Sequence, residues 1–139
     1  MVQWVTFLVG QRVMTVRDDE IADVVRDAVV EHRSGLRAPI TASMDYHDGR
    51  LELVDLREHE ARADVLVLLR PAAGVVVDGV LAMVDEDALE VEEAVPDGLL
   101  PHYVRAVLRR PDASGSRVYY VDLAAFAGLR AQRPSRPGA

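Results

Sequence analysis

The chain has 139 residues, of which 50% are hydrophobic and 28% are charged, which is the balance of one ordinary globular domain. Its net charge of −7 disfavours a nucleic-acid binder, because such proteins use Lys and Arg to neutralise phosphates. The absence of cysteine excludes disulfides, thiol catalysis and cysteine-ligated metal. Aromatic residues make up only 5%, so we expect a core of Val, Leu and Ala.

A hairpin and a helix are predicted at the start of the chain. Residues 2–9 and 13–16 are rich in β-branched residues and flank Gly10-Gln11-Arg12, which predicts two antiparallel strands. Asp18 and Asp19 then provide good N-cap residues. The apolar residues behind them recur at helical spacing, which predicts a short amphipathic helix: Ile21, Val24, Val25, Ala28 and Val29.

The middle of the chain alternates strand and turn signals. Residues 32–39 are interpreted as a linker, because Pro39 disfavours helix before it. The sequence His47-Asp48-Gly49 is typical of a tight hairpin turn. Asp55 is expected to cap a helical turn. The strands predicted here are residues 40–46, 50–54 and 65–69, and the helical turn is residues 56–59.

The clearest strand signal is Gly74-Val75-Val76-Val77-Asp78-Gly79-Val80. Branching at Cβ suits the extended, half-buried backbone of a sheet. Together with residues 81–84, this segment predicts one long strand that bends at a flexible Asp78-Gly79 break. A bend of this kind lets a small sheet turn a corner into a barrel.

The last part of the chain is predicted to contain a strand, a hairpin, a short helix and a tail. Apolar residues at even intervals favour a strand near residues 89–95. A hairpin is expected at residues 103–108 and 117–121, and Asp122 is expected to cap a helix at 123–129. Residues 130–139 hold two prolines and three arginines and are predicted to be a disordered tail, which leaves one domain at residues 1–129.

The number of short strands, with turn signals between them, favours a closed or sandwiched β-core. One local pattern recurs, in which a strand ends in aspartate: Val54-Asp55, Val77-Asp78 and Val121-Asp122. A carboxylate at such a position can satisfy the backbone N–H groups of the departing chain.

No motif for catalysis, metal or cofactor binding is found in the sequence. The four histidines lack the spacing of a helical zinc motif, and the acidic residues 85–93 lack the glycine and closing glutamate of a calcium loop. No serine lies in a Gly-x-Ser-x-Gly elbow, and no glycine-rich phosphate loop is present. The sequence therefore predicts no catalytic residue, no metal and no cofactor, which favours a binding or scaffold role.

Five segments follow one another along the chain: Trp4-Val5-Thr6-Phe7-Leu8-Val9-Gly10, Asp19 to Arg26 with its Asp23-Val24 step, Leu53-Val54-Asp55-Leu56-Arg57, Gly74 to Val80, and Val118-Tyr119-Tyr120-Val121-Asp122-Leu123. In this order and spacing, they resemble the CheW-like family of bacterial chemotaxis coupling proteins. The first segment resembles the family's opening strand with its glycine turn, and the third resembles a family strand that ends in Asp. The resemblance covers the chain from about Val2 to about Leu129.

Membership of this family would imply a mainly β fold, with two intertwined, SH3-like five-stranded β-barrel subdomains, a groove between them and a few short helices. It would imply a non-enzymatic adaptor with two partners. These are the cytoplasmic tip of a methyl-accepting chemoreceptor and the regulatory domain of a CheA-type histidine kinase. The protein would be cytoplasmic, without a segment inserted in the membrane, and recruited to membrane-bound receptor arrays.

The resemblance also implies where a receptor tip would bind. The groove would include Ile21 and Val24, Ala42, and Val65 at the start of its strand, as an apolar surface for a helix. Core packing is the alternative role for Val24 and Val65. Two other functions stay open: a small-ligand-binding β-barrel, and a divergent CheW-like protein that has lost receptor coupling, since the segment from Asp45 to Glu52 departs from the family pattern.

Overall fold

The structure, a computed structural model, describes residues 2–92, 101–110 and 116–129. The described residues form twelve strands and one α-helix. The strands are β1 (Gln3–Val9), β2 (Arg12–Arg17), β3 (Ile21–Val25), β4 (Glu31–His32), β5 (Ala42–Tyr46), β6 (Gly49–Asp55), β7 (Asp64–Leu68), β8 (Gly74–Val77), β9 (Gly79–Asp85), β10 (Glu90–Val91), β11 (Val104–Arg109) and β12 (Arg117–Val121), and the helix is α1 (Leu123–Phe126). Two 3-10 turns, Asp18–Glu20 and Glu86–Ala88, complete the regular structure.

The strands form two six-stranded sheets, so the fold is mainly β, as expected. The first sheet has the order β10-β11-β12-β2-β1-β9, and the second has the order β3-β7-β8-β6-β5-β4. We call the units built on them the first and second subdomains. The chain leaves the first sheet after β2 and returns to it at β9, so the two subdomains are intertwined. Each sheet has the five longer strands expected of a subdomain and, in addition, one two-residue edge strand.

Three apolar clusters form the core. The central cluster joins both sheets and includes Phe7 and Met14 from the first and Leu66 and Val75 from the second. A second cluster lies within the second subdomain, around Leu53. A third lies within the first subdomain, and its buried residues are Trp4, Leu89, Leu108 and Val118. Because the central cluster draws on both sheets, burial of apolar surface holds the subdomains together.

The helix predicted from residue 21 is wrong, since Ile21–Val25 forms the edge strand β3, which pairs antiparallel with β7. The register shifts between Ile21 and Asp23. An extra residue of this kind interrupts the alternation of a strand. Ile21 and Val24 therefore both pack against the central cluster although they are three residues apart. The bulge reproduces the spacing of a helical face, and the sequence pattern was misread for that reason.

Two further predictions near strand ends are corrected. Asp55 caps no helix, because residues 56–59 are irregular, and its Oδ1 instead accepts the backbone N–H of Arg57 at 3.0 Å. The long bent strand is two strands, β8 and β9, which belong to different sheets. The chain crosses from one subdomain to the other between them, at Asp78.

The remaining strands and hairpins are found where they were predicted, apart from small differences at their ends, in the parts of the chain that the structure describes. The hairpins β1–β2, β5–β6 and β11–β12 are all antiparallel. Asp122 caps α1, since its carboxylate accepts the N–H of Ala125 at 3.2 Å, although the helix ends at Phe126. The expected turn at 111–115, part of the strand near 89–95, and the tail at 130–139 lie outside the described residues. In the described parts of the chain, no helix is long and apolar enough to cross a membrane.

Candidate interaction groove

A groove of about 250 Å³ runs between the two subdomains and opens to solvent. Its walls come from β2, β11, β12 and α1 on one side and from β3 and the end of β7 on the other. The apolar lining residues are Val16, Ile21, Leu68, Leu69, Val121, Leu123 and Ala124, and the charged ones are Glu20, Arg70, Arg105 and Asp122.

The most exposed apolar side chain in the groove is Leu69, which is 53% exposed. It follows the buried Leu68 at the end of β7, and the turn after it is closed by the Leu68 N–H, which donates to the carbonyl of Ala73 at 2.9 Å. Ile21 lies beside it on β3 and is half-buried. The groove therefore places one exposed apolar side chain next to a half-buried one.

A polar cluster occupies the wall that belongs to the first subdomain. Arg105 forms an ion pair with Glu20, its Nη2 lies 3.6 Å from a carboxylate oxygen of Asp122, and its Nη1 donates to the Tyr120 hydroxyl at 2.9 Å. The Tyr120 hydroxyl donates to Glu20 at 3.1 Å. Burial opposes the charge of Arg105, but its hydrogen bonds with Tyr120 and Glu20 outweigh that effect and raise its pKa. Arg105 is thus held in place by partners within the protein.

The opposite lip carries Arg70, which is exposed. Within the described residues, the Arg70 side chain has no hydrogen bond and no ion pair. The two arginines of the groove therefore differ: Arg105 is neutralised by neighbouring carboxylates, whereas Arg70 is available to another molecule.

Two carboxylates, those of Asp64 and Asp78, bind backbone groups at the junction where the chain crosses from β8 to β9. Asp64 is completely buried, and it accepts the N–H of Val80 at 2.8 Å and the N–H of Asp27 at 3.0 Å. Burial raises the pKa of Asp64, but these backbone donors and the Arg62 guanidinium outweigh it and lower the pKa overall. Asp78 binds Gly10 of the first subdomain and the chain after β6 of the second. The groove thus lies between two units that are held by charged hydrogen bonds as well as by the core.

The four residues expected to contact a partner are not brought together. Ile21 lines the groove, and Val24, three residues on, is half-buried against the central cluster. Ala42 and Val65 have no exposed surface and belong to the core of the second subdomain. Both sit in inner strands, where Ala42 is paired with Leu53 and Val65 with Val76, so they cannot form a contact surface in this conformation. Their expected role is corrected to core packing.

Sequence reasoning missed Leu69 and Arg70, which the structure places in the groove. The prediction from sequence placed Leu69 at the end of the strand at residues 65–69 and gave Arg70 no role. One signal could have found them, because a large apolar residue directly before a turn faces water more often than one inside a strand. The polar cluster around Arg105 left no such signal, since Glu20, Arg105 and Tyr120 are far apart in sequence.

The described residues bring no nucleophile and base together. His32 Nε2 lies 2.8 Å from Asp55 Oδ2, but no hydroxyl group is hydrogen bonded to a histidine in residues 2–92, 101–110 and 116–129. In the same residues, no group of three or more His, Asp or Glu side chains could hold a metal ion. The Asp55 contacts instead support the fold, because Asp55 also pairs with the buried Arg57 at 2.8 Å.

Comparison with known proteins gives a structural match only. No protein-family model matches the sequence, and no curated protein matches it significantly. The structure is similar to the crystal structure of the scaffolding protein TtCheW from Thermoanaerobacter tengcongensis, with a TM-score of 0.62 and 15% sequence identity. The similarity covers 86% of this chain and 87% of that one. The protein therefore has a CheW-like fold, diverged far in sequence, as the order of its segments implied.

Proposed function

We propose that the protein is a non-enzymatic adaptor of chemotaxis-type signalling, which couples a chemoreceptor to a CheA-type histidine kinase. Residues 1–129 would form the adaptor domain. It would act in the cytoplasm, recruited to membrane-bound receptor arrays. The likeness to a scaffolding protein over almost the whole length of both chains supports this proposal.

The observation that carries the proposal is the open apolar groove between the subdomains, with Leu69 exposed and Ile21 half-buried. An amphipathic helix binds such a groove by placing apolar side chains, spaced three or four residues apart, along its floor. The volume of about 250 Å³ lies just below the range of about 300–1,000 Å³ typical of small-molecule sites. A protein helix that extends beyond the groove suits this shape better than a metabolite, which would have to be enclosed.

The test is co-sedimentation of the purified protein with membranes that contain a chemoreceptor from the same organism. We expect the wild-type protein to sediment with them, and Leu69→Glu to weaken this binding at least about tenfold, which corresponds to about 1.4 kcal/mol. Binding would weaken because the glutamate would face the apolar side of the bound helix, where its charge would be buried without a partner. Ile21→Glu should act in the same direction, with a melting temperature close to that of the wild type, because Ile21 lines the groove and is only half-buried.

The matched control is Leu81→Glu. Leu81 is 44% exposed, close to the exposure of Leu69, but it lies on β9 and does not line the groove. Receptor binding by Leu81→Glu should equal that of the wild type. Equal binding by the wild type, Leu69→Glu, Ile21→Glu and Leu81→Glu would show that the groove is not the receptor site.

A pull-down with the regulatory domain of the CheA-type kinase tests the second half of the proposal. Since an adaptor must hold both partners at once, we expect Leu69→Glu to retain the kinase while it loses the receptor. Absence of both partners from the wild-type protein would refute the adaptor role. A thermal shift with a metabolite in that case would favour the small-ligand-binding alternative.

A further inference from the structure

We propose that Arg70 selects and orients the segment that occupies the groove, by pairing with a carboxylate on that segment. This inference rests on the proposed function, because it names the chemistry of the partner at the same groove. The partner would be a helical segment that carries an acidic residue beside the apolar residue that packs on Leu69.

The first argument is the difference between the two arginines of the groove. Arg105 already contacts Glu20, Asp122 and the Tyr120 hydroxyl, and its guanidinium lies 5.2 Å from the centre of the Tyr120 ring. A partner carboxylate at Arg105 would have to displace these groups or lie close to two other carboxylates. Arg70 has no such partner among the described residues, so a carboxylate can approach it without breaking an existing contact.

The second argument is the position of Arg70 next to Leu69. The two residues are consecutive at the end of β7, where both are exposed and both line the groove. An ion pair beside an apolar contact is shielded from water on one side, which makes it stronger than one on an open surface. On a helix, an apolar and an acidic residue three or four positions apart lie on neighbouring positions of one face and could meet this pair.

The third argument is the distribution of charge over the groove. The wall of the first subdomain holds two carboxylates and one arginine, and the lip of the second subdomain holds Arg70 alone. The two sides therefore differ in sign although the whole protein carries a net charge of −7. At physiological salt, charges more than about 8 Å apart are largely screened from each other. The potential that a partner carboxylate meets at this side of the groove is therefore set mainly by Arg70 and not by distant acidic residues. A segment with its carboxylate toward Arg70 would be accepted in one orientation and disfavoured in the reverse one.

The experiment measures the affinity of the full chain for a soluble fragment that contains the cytoplasmic tip of a chemoreceptor from the same organism. We expect Arg70→Gln to weaken binding roughly fivefold to tenfold and Arg70→Glu to weaken it further, while Arg70→Lys retains most of the affinity. The salt dependence of binding should be smaller for Arg70→Gln than for the wild type. Arg12→Gln is the matched control, because Arg12 is exposed, has no side-chain partner among the described residues and lies outside the groove.

A charge swap identifies the partner residue. Each acidic residue of the receptor tip is changed to Lys in turn, and binding to the wild-type protein and to Arg70→Glu is compared. One of these changes should weaken binding to the wild type and restore binding to Arg70→Glu. Equal affinity of Arg70→Gln and wild type overturns this inference while the proposed function stands. Absence of binding by the wild type overturns the proposed function and this inference with it.

Discussion

Asp78 Oδ2 accepts the backbone N–H of Gly10 at 2.6 Å, which joins the tip of the β1–β2 hairpin to the point where the chain crosses between the sheets. The same carboxylate accepts the N–H of Glu58 at 3.1 Å and that of His59 at 2.8 Å, both from the segment after β6. Burial raises the pKa of Asp78, but these three donors outweigh it and lower the pKa overall. The Asp78-Gly79 position, expected to be a flexible break, is thus a junction at which one carboxylate binds backbone groups of both subdomains.

We expect Asp78→Asn to lower the free energy of unfolding by about 1–3 kcal/mol. The amide has one acceptor oxygen in place of two and no charge, so at least one of the three backbone donors loses its partner. Urea denaturation followed by circular dichroism measures the change. Asp48→Asn is the control, since Asp48 is exposed in the β5–β6 turn and makes no side-chain contact among the described residues. Equal stability of the two variants would contradict the role given to Asp78.

The two glycines that flank the valine run should respond differently to alanine. A Cβ atom at Gly74 would lie 2.6 Å from Leu53 Cδ2 and 2.7 Å from Val65 Cγ1, both of which are in the core of the second subdomain. Gly74→Ala should therefore cost about 1–3 kcal/mol by overpacking. A Cβ atom at Gly79 meets nothing within 4 Å, so Gly79→Ala should change stability by less than about 0.5 kcal/mol. Thermal denaturation of both variants measures these changes in stability. A large loss of stability in Gly79→Ala would contradict the prediction and indicate that the backbone at Gly79 requires glycine.

The stability of the protein should fall in acid because of Asp55. Burial raises the pKa of Asp55, but hydrogen bonds from Arg57 and His32 outweigh it and lower the pKa to about 2. A carboxyl group whose pKa is lower when folded stabilises the protein above its unfolded pKa of about 3.9, and this contribution is lost as the pH falls toward 2. The pKa values of Asp64 and Asp78 are also lowered, so they act in the same direction.

Asp55→Asn should flatten the decrease in unfolding free energy between about pH 5 and pH 2. The measurement is urea denaturation across that range, with Asp87→Asn as the control, because Asp87 is exposed and makes no side-chain contact among the described residues. A slope for Asp55→Asn that matches the wild type would mean that the Arg57 and His32 contacts do not lower the pKa of Asp55 in solution.

The ion pair between Glu20 and Arg105 should contribute modestly to stability. Both side chains are partly exposed, at 29% and 39%, which limits the strength of the pair. A double-mutant cycle with Glu20→Gln and Arg105→Gln should give a coupling of about 0.5–1 kcal/mol. The coupling should decrease at high salt, since exposed charges are screened. A coupling near zero would mean that Tyr120 and Asp122, rather than Glu20, hold Arg105 in the wall of the groove.

Several predictions that depended only on neighbouring residues were confirmed, although the helical turn predicted after Asp55 was not. The turn at His47-Asp48 joins β5 to β6 in a tight hairpin, as expected, with Tyr46 opposite Gly49. Asp122 caps α1 as its position before Leu123 indicated. These signals act over four residues or fewer, so the rest of the molecule has little influence on them.

Predictions that required knowledge of distant partners failed or could not be made. Ile21 and Val24 have the spacing of a helix face, but pairing with β7 makes them part of a strand. Ala42 and Val65 were expected at a partner surface, yet pairing inside the second sheet buries both completely. A hydrophobic residue is equally suited to a core and to an apolar rim, and its own sequence neighbourhood does not distinguish them.

The sequence by itself determined that the protein is mainly β, where most strands lie, and that a carboxylate follows several of them. Turn chemistry, β-branching and capping are local properties, and they act before the chain is packed. Only the tertiary structure decided that the valine run divides between two sheets at Asp78 and that Leu69 and Arg70 lie at a groove. Those features depend on contacts between residues far apart in the chain, which form only when the two subdomains close on their shared core.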